Sequence, residues 1–182
     1  MQTSPIWVFG YGSLLWNPGF TPAEAVAAQL AGYQRCFCML SIHHRGTEDD
    51  PGLVLALDPM AQAHCDGMAL RVAQGETAGV LAMLRERELV SSAYVERWLP
   101  LRLADGREVT ALAYVVDTAH RQYCRFDRET QARMIARARG GRGPNTEYLY
   151  NTAAHLRAMG IQDPEMAWIA ARVRVLTGTA PE

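Results

Sequence analysis

Residues Trp7 to Trp16, WVFGYGSLLW, form an apolar run that breaks abruptly into a glycine-rich loop. The apolar residues from Ile6 to Phe9 predict a buried strand. Two glycines then flank Tyr11, and glycine allows a backbone to approach a ligand closely. Consecutive amide N–H groups in such a loop can point into one small concavity that suits an anion or an oxyanion. The loop is therefore a candidate binding element, with a simple tight turn as the alternative.

The composition favours one domain and disfavours several classes of partner. The chain has 182 residues, with 18 Lys plus Arg, 19 Asp plus Glu and a formal net charge of −1. This length can bury a real hydrophobic core, so we expect residues 1–182 to form a single domain. A near-neutral chain without a basic run argues against nucleic acid as a partner. No stretch approaches the roughly 20 apolar residues that span a bilayer, which argues against a membrane partner.

The N-terminus and the cysteines predict a cytoplasmic protein. Residues 1–5 lack a charged region followed by a long apolar one, so no signal peptide is predicted. The cysteines are Cys36, Cys38, Cys65 and Cys124, and no pair has C-x-x-C spacing. We expect all of them to be reduced, small core residues. The sequence predicts no particular oligomeric state.

Hydrophobic patterns predict most strands in the first part of the chain and most helices in the second. Thr21-Pro22-Ala23-Glu24 resembles a capping box, which predicts a helix from Thr21 to about Leu30. Strands are predicted at residues 35–41, 52–57 and 67–72, with a turn at 58–66, and in a hairpin of 98–103 and 109–116 that turns at Asp105-Gly106. Further helices are predicted at residues 76–90, 127–139, 145–160 and 163–176, and Asp127, Asn145 and Asp163 are predicted to cap the last three of them. This order indicates an α+β fold rather than an alternating parallel sheet.

The predicted helix of residues 76–90 carries one carboxylate on its apolar face. The apolar stripe consists of Val80, Leu81, Met83 and Leu84. Glu88 lies on this stripe, one turn after Leu84. Burial and the helix dipole would both disfavour its anion and raise its pKa toward the range of a general acid/base. The alternatives are that the helix ends early and exposes Glu88, or that Glu88 pairs with Arg85 or Arg87.

The remaining candidate groups are weaker. His43, His44, His64 and Cys65 lack the spacings of metal ligands, so we predict no metal site. No serine lies in a G-x-S-x-G elbow, and Ser13 has no base that the sequence identifies.

Four motifs occur in the order seen in ChaC-like γ-glutamylcyclotransferases, and the chain resembles that family from about Trp7 to Leu156. They are VFGYGSLLW, then HRGT followed by Pro51-Gly52, then LRERE with Tyr94 after it, then NTEYL. The first motif is the most specific. The family's residues between its glutamate and its tyrosine include glycine, whereas this chain has Leu-Val-Ser-Ser-Ala at 89–93. This departure concerns the local backbone shape and not the role of Glu88.

This resemblance implies a fold, a site and no cofactor. The family fold is a small mixed β-barrel with flanking helices. The γ-glutamyl group would be held by the loop residues Gly10, Tyr11, Gly12, Ser13, Leu14 and Leu15. Glu88 matches the family's acid/base glutamate. Tyr94 and Tyr123 would lie near the γ-glutamyl group, and Arg45 would meet a distal carboxylate of the substrate.

The favoured hypothesis is a lyase-type γ-glutamylcyclotransferase that degrades glutathione to 5-oxoproline and Cys-Gly. One alternative is the same chemistry on other γ-glutamyl amines or dipeptides. Another is a non-catalytic module that binds an anion or regulates a partner. An inward-pointing Glu88 favours the enzyme, because a protein that only binds anions gains nothing from a carboxylate in its site.

Overall fold

The computed structural model describes residues 5–179. The prediction that residues 1–5 form no signal peptide therefore falls almost wholly outside the described residues. Its strands are β1 Trp7–Gly10, β2 Glu24–Ser41, β3 Gly52–Arg71, β4 Tyr94–Leu103, β5 Glu108–Val116, β6 Arg139–Gly140 and β7 Gly143–Pro144. Its helices are α1 Thr77–Glu88, α2 Arg128–Arg137, α3 Asn145–Ala158 and α4 Pro164–Thr177. No helix among the described residues is long and apolar enough to span a membrane.

The first five strands form a closed barrel in the order β1-β3-β2-β4-β5. Most pairs are antiparallel, but β5 runs parallel to β1 and to β3, so the barrel is mixed. The β4–β5 hairpin turns at Asp105-Gly106, where Gly106 has φ of 90°. The predicted α+β fold with a small mixed barrel is therefore confirmed.

The chain divides into two compact units. The first contains the described residues up to Cys36 together with Ala56–His120, and the second contains Phe37–Leu55 together with the described residues from Arg121. Strands β2 and β3 each run from one unit into the other. The single domain expected from chain length stays a prediction.

The helix predicted from Thr21 to Leu30 is wrong, because this segment begins the long strand β2. Ala28 and Leu30 are buried while Ala25 and Ala27 are exposed, which is the period-two alternation of a strand. Ala28 pairs with Leu103 of β4. Strand pairing thus overrides the helical propensity of the alanines.

The turn predicted at residues 58–66 is also wrong, because β3 is one continuous strand. Most residues from Pro59 to His64 are exposed, so this part of the strand has no buried face to give a strand pattern. Gln62 has φ of 67°, a local irregularity within the strand. A stretch exposed on both faces carries no alternating apolar pattern, so its sequence is indistinguishable from that of a loop.

Helix α1 packs against the barrel through one hydrophobic cluster in the first unit. The buried members are Val8, Leu14, Leu70, Val72, Val80, Leu84, Leu112 and Tyr114. They come from β1, the loop after it, the end of β3 and the residue that follows it, α1 and β5. The helix end that carries Glu88 therefore belongs to the same packed unit as the glycine-rich loop.

In the second unit, α2, α3 and α4 pack on one another. The predicted caps of α2 and α4 are confirmed: Asp127 accepts from Thr130 N, and Asp163 accepts from Met166 N. Asn145 was predicted to cap α3 but is its first helical residue. Its amide instead donates to Leu53 O and accepts from Leu53 N, both at 2.8 Å.

Candidate active site

The loop after β1 is anchored on the protein through Tyr11. The Tyr11 hydroxyl is buried and donates to Tyr114 O at 2.8 Å. Arg35 Nε donates to Tyr11 O, also at 2.8 Å. In a trans peptide the N–H points opposite to the C=O, so the Gly12 N–H points away from Arg35. The side chain and the carbonyl of Tyr11 therefore support the loop from within the protein.

Gly12 opens a single 3₁₀ turn of residues Ser13–Leu15. Its carbonyl accepts from Leu15 N at 3.0 Å. Its φ is −138°, which lies outside the left-handed region. A conformational need for φ above zero therefore does not explain glycine at this position.

The loop also depends on Gly67, which lies in β3 next to β1. A Cβ at this position would overlap Gly10 O and would lie 2.9 Å from the ring of Phe9. Glycine at position 67 thus lets the end of β1 approach β3 closely, and this sets where the loop begins.

Glu88 is the last residue of α1, and its side chain is only 13% exposed. Its Oε1 lies 3.2 Å from Arg87 Nε. The predicted inward orientation is thus present, and so is the pairing with Arg87 that was the alternative. By contrast, Arg85 is half-exposed and pairs with Glu96.

Arg87 connects Glu88 to the glycine-rich loop. Its Nη2 donates to Ser13 Oγ at 2.8 Å, and its Nη1 donates to Asn17 O. Two predicted site residues that are 75 positions apart, Ser13 and Glu88, therefore contact the same guanidinium. Sequence reasoning named Arg87 only as a possible partner of Glu88. The available signal was its place beside Glu88 in LRERE.

Two tyrosines lie beside this arrangement. Tyr94 begins β4 and packs, partly buried, against the hydrophobic cluster that also holds Leu14 and Leu84. The Tyr114 hydroxyl donates to Glu96 Oε1 at 3.1 Å. Burial, followed by the negative charge of Glu96, raises the pKa of the Tyr114 phenol well above its usual value, and the charge of Glu88 adds to this. Tyr114 is therefore a neutral donor at physiological pH.

The site consists of the largely buried Glu88 carboxylate and an arginine that pairs with it and also hydrogen-bonds to the glycine-rich loop. A carboxylate can carry a proton, and loop donors can stabilise an oxyanion. The family model described as ChaC-like protein matches residues 6–176. This chain belongs to that family.

Relatives with known names agree with this ChaC-like assignment. A glutathione-specific γ-glutamylcyclotransferase from Escherichia coli (strain K12) is 36% identical over 163 residues, covering 87% of this chain and 68% of its own. The γ-glutamylcyclotransferase 2-3 of Arabidopsis thaliana is 28% identical over 184 residues, covering 97% and 92%. A crystal structure of a yeast γ-glutamyl cyclotransferase specific to glutathione aligns with a TM-score of 0.86 at 21% identity, covering 95% of this chain and 97% of that one. This last likeness concerns the fold.

The segment in which this ChaC-like chain departs from the family pattern has an unusual backbone. Ser92 has φ of 58°, in the left-handed region that favours glycine. The local shape between Glu88 and Tyr94 thus includes a left-handed residue that is not glycine. A single residue of this kind costs roughly 1 kcal/mol.

Arg45 and Tyr123 lie in the second unit. The Arg45 side chain is 6% exposed, its Nη1 donates to Pro144 O at 3.1 Å, and it pairs with Glu147 at 3.6 Å. The Tyr123 hydroxyl accepts from Arg125 Nε at 2.7 Å. These contacts all lie between residues of the second unit, and the roles of Arg45 and Tyr123 in substrate binding stay predictions.

The cysteines differ from expectation in one respect. Cys36 and Cys38 are disulfide-bonded, so the prediction that all four cysteines are reduced is wrong. Cys65 and Cys124 are free. Burial raises the pKa of the Cys124 thiol to about 11, which keeps this thiol protonated and unreactive near neutral pH.

Proposed function

We propose that this protein cleaves glutathione by intramolecular cyclisation of its γ-glutamyl group, giving 5-oxoproline and Cys-Gly. The observation that carries the proposal is the buried Glu88 carboxylate, which one arginine links to the glycine-rich loop. Membership of the ChaC-like family and the names of the relatives support the substrate.

The substrate supplies its own nucleophile. Its free α-amine attacks the γ-carbonyl carbon, a C–N bond closes the five-membered lactam, and the amide C–N bond to cysteine breaks. The leaving amine gains the proton that the attacking amine loses, so no water is consumed. Because the nucleophile is tethered, the protein needs only to hold the substrate in a folded, attacking conformation.

Two tasks then fall to the protein. Glu88 accepts the proton from the attacking amine and gives it to the leaving nitrogen, a role worth roughly 10²- to 10⁴-fold in rate. Donors of the loop from Gly10 to Leu15 stabilise the oxyanion that forms on the γ-carbonyl. Tyr94, beside the same hydrophobic cluster, contributes to the wall of the γ-glutamyl site.

A panel of substrates tests this proposal. Purified protein is incubated with glutathione, with γ-glutamyl dipeptides, and with the α-linked peptide Glu-Cys-Gly, and 5-oxoproline is measured. We expect turnover of glutathione above the dipeptides and no cleavage of the α-linked peptide, whose amine cannot close a five-membered ring on the carbonyl of the amide to cysteine. Preference for a dipeptide would favour the broader activity that the name of the Arabidopsis relative allows. A cytoplasmic location stays a prediction.

Activity should survive exhaustive treatment with EDTA and need no added cofactor. The cyclisation is neither a redox reaction nor a hydrolysis, and the histidines lack metal-ligand spacing. The measurement is the rate of 5-oxoproline formation before and after chelation. A rate that falls with EDTA and returns with one added metal would contradict the proposal that Glu88 and the loop suffice.

Gly12→Ala should lower turnover by at least about tenfold while the protein stays folded, because a Cβ would intrude where the γ-glutamyl group approaches the loop. Gly79→Ala is the matched control: an added Cβ in α1 meets nothing within 4 Å. That control should gain roughly 0.5–1 kcal/mol of stability and keep its activity. Melting temperature and rate are measured on the same preparations. A fully active Gly12→Ala protein would remove the loop from the site.

A further inference from the structure

The three side-chain nitrogens of Arg87 contact three different groups. Its side chain is 11% exposed, and its Nε lies 3.2 Å from Glu88 Oε1. Its Nη2 donates to Ser13 Oγ at 2.8 Å, and its Nη1 donates to the carbonyl of Asn17. Each of the three nitrogens thus has a different partner: the carboxylate, the 3₁₀ turn, or the backbone that follows that turn.

The chemistry of a guanidinium fixes the role of the Ser13 hydroxyl. Arginine has only donors, so Ser13 Oγ must accept from Arg87. The single O–H proton of Ser13 then remains for another acceptor. Within residues 5–179 no protein group takes it, since the bond from Arg87 is the side-chain contact that Ser13 makes. A substrate oxygen bound at the turn is an acceptor in reach of that proton.

We propose that Arg87 is a positioning residue, which aims the Glu88 carboxylate and the Ser13 hydroxyl at the same reacting centre. This inference rests on the proposed function and deepens it. By fixing Ser13 Oγ as an acceptor, Arg87 turns the O–H toward the γ-carbonyl oxygen, where it assists the loop amides when negative charge develops. By holding Glu88 on the same side chain, Arg87 fixes the distance between the proton carrier and the oxyanion donors.

The planar fork is what this role requires. A lysine ammonium keeps the positive charge but is a point donor on a flexible stem, and it does not reproduce two hydrogen bonds and an ion pair in fixed directions. A purely electrostatic or stabilising role for Arg87 would therefore be rescued by lysine. A positioning role would not be.

The test compares Arg87→Lys with wild type for kcat, KM and melting temperature, using glutathione as the substrate. We expect kcat to fall ten- to a hundredfold, as misplacement by about 1 Å does, with KM changed less than about threefold. Arg71→Lys is the matched control, because Arg71 Nε also pairs with a carboxylate, Glu24, at 3.0 Å. That control should keep its kcat. A wild-type kcat in folded Arg87→Lys would overturn the proposal.

A second variant covers the case in which Arg87→Lys does not fold. Ser13→Ala removes only the hydroxyl, and we expect its kcat to fall at least about fivefold with a small fall in melting temperature, because Arg87 Nη2 loses an acceptor. Where Arg87→Lys folds, the same change in that background should cost less than twofold, because the hydroxyl is already misdirected. Full activity of Ser13→Ala, or strictly additive effects, would overturn the proposal. Absence of 5-oxoproline from wild type would instead contradict the proposed function.

Discussion

Glu88→Gln should lower kcat for glutathione by about 10²- to 10⁴-fold, which is the value of a proton shuttle, and leave the fold intact. Glutamine has the shape of glutamate, so its side-chain oxygen can occupy the same place, 3.2 Å from Arg87 Nε, without the negative charge. It cannot pass a proton from the attacking amine to the leaving nitrogen. Rates of 5-oxoproline formation and binding of glutathione are both measured, and binding should change little.

Glu86→Gln is the matched control for this change. Glu86 lies two positions earlier on the same helix, but its side chain is exposed. We expect its kcat and melting temperature to stay close to those of wild type, since surface substitutions usually have small effects. Retention of more than about a tenth of the wild-type rate by Glu88→Gln would make the proton-shuttle role untenable.

Asn145→Ala should have the largest effect on stability, a loss of about 3–5 kcal/mol in the free energy of unfolding. Asn145 is fully buried and satisfies both the N–H and the C=O of Leu53. Removing its amide leaves two buried backbone groups unpaired, at roughly 1–3 kcal/mol each, and adds a small cavity. Urea unfolding of both proteins measures the difference.

Asn151→Ala on the same helix is the control, and it should change the free energy of unfolding by less than about 0.5 kcal/mol. A loss below about 1 kcal/mol for Asn145→Ala would show that water replaces the amide. The asparagine of the NTEYL motif would then need an explanation other than its two hydrogen bonds to the Leu53 backbone.

A segment's secondary structure could be predicted where its local sequence favours the same structure as its tertiary contacts do. Helix α1 was predicted because its apolar stripe has the helical period and its buried face is one continuous patch. The segment from Thr21 to Leu30 was missed because its alanines favour a helix locally, while pairing of Ala28 with Leu103 makes it a strand. That partner is 75 residues away and leaves no mark on local composition.

In the candidate site, too, residues marked by a local pattern could be predicted, and roles that depend on distant partners could not. Glu88 was found from helical periodicity, since burial of one helix face is a local property. Arg87 was not identified as a link, because its partners Ser13 and Asn17 lie 74 and 70 residues earlier. The role of Asn145 was misassigned for a related reason: asparagine at a helix start usually caps it, but here its amide binds a strand residue 92 positions earlier.

The most direct test of the central claim is the fate of the γ-glutamyl group in H₂¹⁸O. Purified protein is incubated with glutathione in labelled water, and the products are quantified by mass spectrometry. Cyclisation predicts equal amounts of 5-oxoproline and Cys-Gly, with no ¹⁸O in the 5-oxoproline, because the attacking atom is the substrate's own nitrogen. Glutamate carrying ¹⁸O, or no cleavage of glutathione, would contradict the account.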